Sequence, residues 1–290
     1  MFDFFISKFF GYALGYFFDM TGNYGIAVIL FTIVISVVLF PLSIKRYKTT
    51  LPNLKFEAKK NALKRQCGKD TNKFQDELAE LSKKEGINPM SGCMNISMIL
   101  TFVIFGGVYS TIQKPLVNVL HLSNDKVSEA AKILTEEQKA QKGTDQLDIV
   151  RSFKELRPKL TMFSEEELDR IGKLSSGFEF WGLNLLNSPK SSPFMSSIWI
   201  LPFLSLIFVS LGTYINQLTN PMTEELEGAA KYIIYIVPLI QVWIVYKVFA
   251  AVGLYFVVSS VFNIVQSLSL EYFFSPYIKL AKKEKIRKFG

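Results

Sequence analysis

Four stretches of this chain run without a charged side chain for longer than a bilayer core is thick, and a fifth comes close. They are residues 24–44, 87–113, 191–223 and 248–270, with 232–246 as the shorter run. About 20 apolar residues in a helix cross a hydrocarbon core roughly 30 Å thick. The shorter run reaches that length as 228–246 if Lys231 extends its ammonium to the interface. Apolar residues make up 49% of the chain, 26 of the residues are Phe, and the charges sit in blocks between the runs. The pattern predicts an all-α integral membrane protein with five transmembrane helices, at 24–44, 91–113, 194–217, 228–246 and 249–270.

The charged blocks orient these spans. Residues 45–89 hold 12 Lys and Arg against 6 acidic residues, and the tail, 271–290, is also strongly basic. Lys and Arg in short loops keep those loops cytoplasmic. Residues 114–190 hold 12 of each sign, as expected of an extracytoplasmic region. The N-terminus is therefore expected outside and the C-terminus in the cytoplasm. The loop 220–231 is mildly acidic, and its cytoplasmic place is forced by its neighbours. A net charge of +8 makes anionic lipid and ribosomal RNA the natural counter-surfaces.

Residues 1–20 do not suit a signal peptide. Asp3 and Lys8 interrupt the apolar run, Gly11 and Gly15 dilute it, and no small-residue cleavage site follows. Phe2, Phe5, Ile6, Phe9, Ala13 and Phe17 recur at helical spacing, which predicts an interfacial amphipathic helix. Gly11 and Gly15 form a GxxxG pair, a weak signal in such a helix.

The basic segment 45–89 reads as a helical hairpin. One helix, 54–66, follows Pro52 and is broken by Gly68. A second begins at Thr71 as its cap, places Phe74, Leu78 and Leu81 on one face, and ends at Gly86. Lys55, Lys59, Lys60, Lys64, Arg65, Lys83 and Lys84 are its candidate docking residues. A solvated loop that only sets topology is the plainer reading, but two amphipathic helices exceed what topology requires.

Polar side chains inside the spans fall in stripes. Tyr255, Ser259, Asn263 and Gln266 recur along the last span, and Ser210, Thr213, Tyr214 and Gln217 along the third. The first span offers Thr32 and Ser36; the second offers Asn95, Ser97, Thr101 and Tyr109. Such groups are costly in lipid unless they face protein or water. Each could be helix–helix glue; together, on four helices, they point to a hydrated groove.

No phosphate loop, HExxH, GxSxG or intramembrane carboxylate pair is present in the sequence. His121 is the only histidine, and Cys67 and Cys93 are no disulfide framework. The expectation is a non-enzymatic protein without a cofactor. A small-solute transporter or channel would want repeats, broken helices or intramembrane charges. A non-catalytic scaffold docking a ribosome or translocon through the hairpin would need only the arm.

The order of short motifs resembles the YidC/Oxa-type family of membrane protein insertases. Gly22-Asn23-Tyr24-Gly25-Ile26-Ala27 and Leu39-Phe40-Pro41-Leu42 match the two ends of that family's first span. Glu85-Gly86-Ile87-Asn88-Pro89-Met90-Ser91-Gly92-Cys93 matches the junction after its cytoplasmic hairpin. Phe180-Trp181-Gly182-Leu183-Asn184-Leu185 with Ser188-Pro189, then Val252-Gly253-Leu254-Tyr255 and Asn263-Ile264-Val265-Gln266, match the later parts. The likeness covers about 9–113 and 178–272. It implies a bacterial plasma-membrane insertase with a groove open to cytoplasm and lipid and closed outside. The implied partners are nascent membrane proteins, the Sec translocon, the ribosome and anionic lipids. The chain departs from the family at Ser36, where an Arg is usual, and over 94–109, which lacks the usual Gln and prolines. The region 114–190 is also longer than usual, with helical pieces expected near 126–141 and 165–174.

Overall fold

The computed structural model describes residues 2–68, 70–86, 106–138, 146–219 and 229–289. Among them the helices are α1 (Phe2–Thr21), α2 (Tyr24–Cys67), α3 (Thr71–Glu85), α4 (106–113), α5 (Pro115–Asn118), α6 (Asn124–Gln138), α7 (Gln146–Arg151), α8 (Phe153–Leu156), α9 (Glu165–Gly177), α10 (Ile200–Thr219), α11 (Ala229–Lys247) and α12 (Ala250–Phe289). Among the described residues one antiparallel hairpin pairs β1 (Glu179–Phe180) with β2 (Leu183–Asn184). Three described segments are long and apolar enough to cross a membrane: Tyr24–Lys45, Ser197–Leu218 and Ala250–Phe274. The apolar part of α11, Ile234–Lys247, is shorter. Of the predicted span 91–113, only 106–113 lies within the described residues, and it is helical. This is an all-α membrane protein.

The chain forms two compact units. The first comprises Met1–Ser36, Phe102–Val209 and Leu239–Ser260. Its core is built by helices too short to be stable alone, which fold because each buries one apolar stripe. Val127, Ala130 and Leu134 do this on α6, and Leu168, Ile171 and Leu174 on α9. α9 opens with a capping box: the Ser164 hydroxyl accepts from Glu167 N, and the Glu167 carboxylate accepts from Ser164 N. The same carboxylate holds Lys126 of α6 at 2.7 Å. Tyr24, at the entry of α2, is fully buried; it stacks on Phe178 at 4.2 Å and donates to the Ile112 carbonyl. At the entry of α12, Ala250 N and Ala251 N donate to the carbonyls of Asn187 and Leu185. Arg151 donates to the Leu186 carbonyl and lies over the Phe249 ring. The predicted long outer region is thus a folded helical cluster fastened to the first turns of α2 and α12.

α1 docks on the first unit by one side. Phe10, Leu14 and Phe18 are buried, with Gly11 and Gly15 against the backbone of Asn118 and Val119. Phe9, Tyr12, Tyr16 and Met20 form the exposed face opposite. Aromatic residues lie on both sides of the helix, so the apolar periodicity does not say which side meets protein. Its GxxxG pair, weak as a signal, is where the close approach occurs.

The second unit comprises Val37–Thr101, Ser210–Pro238 and Val261–Gly290. Here α2 corrects the hairpin reading, because no new helix starts after Pro52. α2 is one helix of 44 residues through Pro41 and Pro52. An interior proline removes one backbone bond and bends a helix without having to end it. Gly68, at φ +57°, ends α2 as expected. The cap of α3 is Asp70 rather than Thr71: its carboxylate accepts from Lys73 N. Gly86, at φ +64°, closes α3 by bonding back to Ser82 and Lys83 carbonyls. The two arms are joined by a Lys59–Glu85 pair at 2.5 Å, and Phe56 and Ser82 are buried.

Candidate functional site

In the first unit the sequence-selected polar residues take different roles. Thr32 is buried, and its hydroxyl closes on the Val28 carbonyl one turn back, at 2.6 Å. That is a self-satisfied helix hydroxyl, not a lining group. Ser36, one turn further on, is half-buried. Tyr255 and Ser259 are half-buried on α12 and share a side-chain hydrogen bond.

The bond that ties this unit's spans together was missed. Gln241 of α11 donates to Ser260 of α12 at 2.9 Å and lies 3.3 Å from Ser205 of α10. Ser205 and Ser260 are both buried. Ser260 in turn donates to the Phe256 carbonyl. The available signal was Gln241 itself, the one amide in an otherwise apolar run. A buried amide in lipid needs partners.

In the second unit Ser210 and Asn263 are exposed, and Thr213, Gln217 and Gln266 are half-buried. α10 and α12 come together here at Gly212, where an added Cβ would lie 3.4 Å from Ile264 Cγ1. The polar positions of both helices therefore flank one close helix–helix contact. They sit among exposed apolar residues: Leu211, Tyr214 and Leu218 on α10, Val261, Val265 and Leu268 on α12. Asn95, Ser97 and Thr101 lie outside the described residues.

The candidate docking residues are on the paired arms. Lys55, Lys59, Lys60, Lys64 and Arg65 belong to α2, Lys83 and Lys84 to α3. Lys64, Arg65, Lys83 and Lys84 are exposed, whereas Lys59 is half-buried and spent partly on Glu85. At the tip, Cys67 is buried and donates to Glu77; burial and the Glu77 carboxylate push its thiol pKa up. Among the described residues no group of His, Cys, Asp and Glu is placed to hold a metal ion.

Comparison with known proteins identifies the family. The profile of the family described as 60Kd inner membrane protein matches residues 16–276. Proteins named membrane protein insertase YidC are similar over a shorter stretch. The one from Granulibacter bethesdensis is 34% identical over 108 residues, 37% of this chain and 18% of that protein. That from Nitrobacter hamburgensis is 36% identical over 109 residues, 38% and 18% of the two chains. That from Rhizobium meliloti is 34% identical over 112 residues, 38% and 19%. The aligned stretch is under a fifth of those relatives' length. With the match running from α1 into the second half of α12, the chain belongs to the 60Kd inner membrane protein family, the YidC/Oxa-type family whose motifs it resembles.

Proposed function

We propose that this protein inserts other proteins into the membrane, taking hydrophilic segments of a nascent chain into a hydrated groove while their apolar segments pass into lipid. The observation that carries this is a division of labour among polar residues. Ser205, Gln241 and Ser260 bind the helices to one another, and Ser210, Asn263 and Gln266 lie at exposed or half-exposed positions of apolar helices. Glue residues are buried against partners; polar groups that stay accessible on a span need water nearby. A charged side chain at the bilayer centre costs about 2.5–3.5 kcal/mol. A groove lined with hydroxyls and amides lowers that cost, and burial of the apolar segment drives the step without nucleotide. The name carried by the similar proteins agrees.

In this reading the chain has five spans in the bacterial plasma membrane, N-terminus out and C-terminus in. The paired arms and the basic end of α12 meet the ribosome, the Sec translocon and anionic lipid. Ser36 stands where the family usually has Arg, so attraction of acidic substrate tails is weak.

Photo-crosslinkers placed at Ser36, Thr213 and Ser259 test the groove. A stalled nascent membrane protein should be captured from at least one position; no capture from any of the three overturns the groove. Rescue of a strain depleted of its own insertase tests competence. If only the Ser36→Arg form rescues, the unaltered protein is not a general insertase.

A further inference from the structure

The turn between β1 and β2 holds a side chain in a place that packing does not explain. The strands pair Glu179 with Asn184 and Phe180 with Leu183, leaving Trp181-Gly182 as a two-residue turn. Both residues have positive φ, +48° and +76°. Turns of this kind favour Asn or Gly at the first position, because a Cβ is strained in the left-handed region. This chain puts Trp there, 90% exposed, stacked at 4.8 Å on a buried Phe180. A large apolar surface is thus displayed on a strained backbone, with nothing in the described structure to cover it.

Its depth is fixed by its anchors. Phe180 packs directly against Gly25, where an added Cβ would come within 2.5 Å of the ring, and Asn23 Nδ2 donates to the Glu179 carbonyl. Gly25 is in the first turn of an apolar span that begins at Tyr24. A few residues on, the carbonyls of Leu185 and Asn187 accept from Ala251 and Ala250, the first turn of another span. The hairpin is therefore tied at the level where two spans enter the membrane. A second segment repeats the arrangement. Met195 has φ +66°, it and Phe194 are exposed, and the span Ser197–Leu218 begins two residues later.

We propose that Trp181 is a bilayer anchor: its indole lies among the phospholipid headgroups and upper acyl chains beside the entry of α2, with Phe194 and Met195 doing the same beside α10. Indole is amphipathic and settles at the boundary between water and hydrocarbon. Lipid is favoured over a protein partner because the anchoring contacts place the ring at span-entry depth. This inference is independent of the insertase reading and needs only the membrane fold.

The test uses the full chain in phosphatidylcholine–phosphatidylglycerol vesicles. The chain has three Trp residues, so Trp199→Phe with Trp243→Phe leaves Trp181 as the sole indole. Its emission should be lost with lipids brominated near the top of the acyl chain, less affected by bromine near the chain end, and little quenched by aqueous iodide. Strong iodide quenching without lipid quenching overturns the proposal, and so does insensitivity to both, which would place a protein surface over the ring. Should the double variant fold poorly, the difference between the unaltered protein and Trp181→Phe reports the same quenching.

Discussion

Gly11 meets the carbonyl oxygen of Asn118 so closely that even a methyl group there would collide with backbone. Gly11→Ala should therefore destabilise the protein by roughly 1–3 kcal/mol, the usual range for overpacking. Gly106 is helical with open space around it, so Gly106→Ala should be neutral or stabilise by up to about 1 kcal/mol. Thermal unfolding in detergent compares the two; equal behaviour would mean that α1 does not dock as described. Titration acts at the same scale. His121 stacks on Tyr12, and burial, then Arg170 and Lys8, lower its pKa, with Asp19 opposing. Hydrogen bonds from Lys126 and Ser164 lower that of Glu167. Both groups bind protons more readily in the unfolded chain, so stability falls with acid. The His121 contribution is lost as pH drops below its ordinary 6.5, and the Glu167 contribution as pH drops below its ordinary 4.5. Melting curves from pH 7 to pH 3 should show both limbs. His121→Asn, which tolerates the positive φ there, should flatten the upper limb, and Glu167→Gln the lower.

Among the elements, the arm shows how far periodicity and caps reach. Gly68 and Gly86 ended their helices where turn chemistry placed them. Pro52 did not begin one, because a single proline costs about 3 kcal/mol while the Lys-, Ala- and Leu-rich turns on its far side favour continuation. Asp70 outcompeted Thr71 as cap because its carboxylate reaches the N–H groups of the first turn. Asp70→Ala should cost about 1 kcal/mol, read as faster amide exchange over 71–75 in the full-length protein. α1 shows the opposite case. Its aromatic residues lie on more than one side, and its partners chose the covered face: Phe10 meets Phe31, Phe18 meets Tyr24, and Gly11 and Gly15 meet the backbone of Asn118 and Val119.

At the scale of the whole molecule, stability and activity should separate. Gln241→Leu removes hydrogen bonds that average about 0.6 kcal/mol each in bilayers and leaves Ser205 short of a partner. It should lower the unfolding midpoint in mixed micelles by roughly 1 kcal/mol equivalent. Asn263→Leu, on an exposed position of α12, should leave that midpoint unchanged and reduce insertion of a substrate with a charged hydrophilic segment, measured by protease protection in proteoliposomes. If Asn263→Leu destabilises as Gln241→Leu does, Asn263 is glue and the groove loses that wall.

The sequence alone determined that the chain is a helical membrane protein, where its uncharged runs lie and that a basic helical arm leaves the first of them, because hydropathy, charge blocks and glycine stops are local properties. It also selected the polar residues, since any polar group in a span is conspicuous. Which of them bind helices and which stay accessible was decided by tertiary structure. Ser259 and Ser260 are neighbours of the same chemistry, yet only Ser260 meets Gln241, a choice set by the rotation of α12 against α11. Likewise the folding of 114–190 onto Tyr24 and the entry of α12 rests on contacts such as Tyr24–Phe178, between residues too distant in sequence for any window to pair.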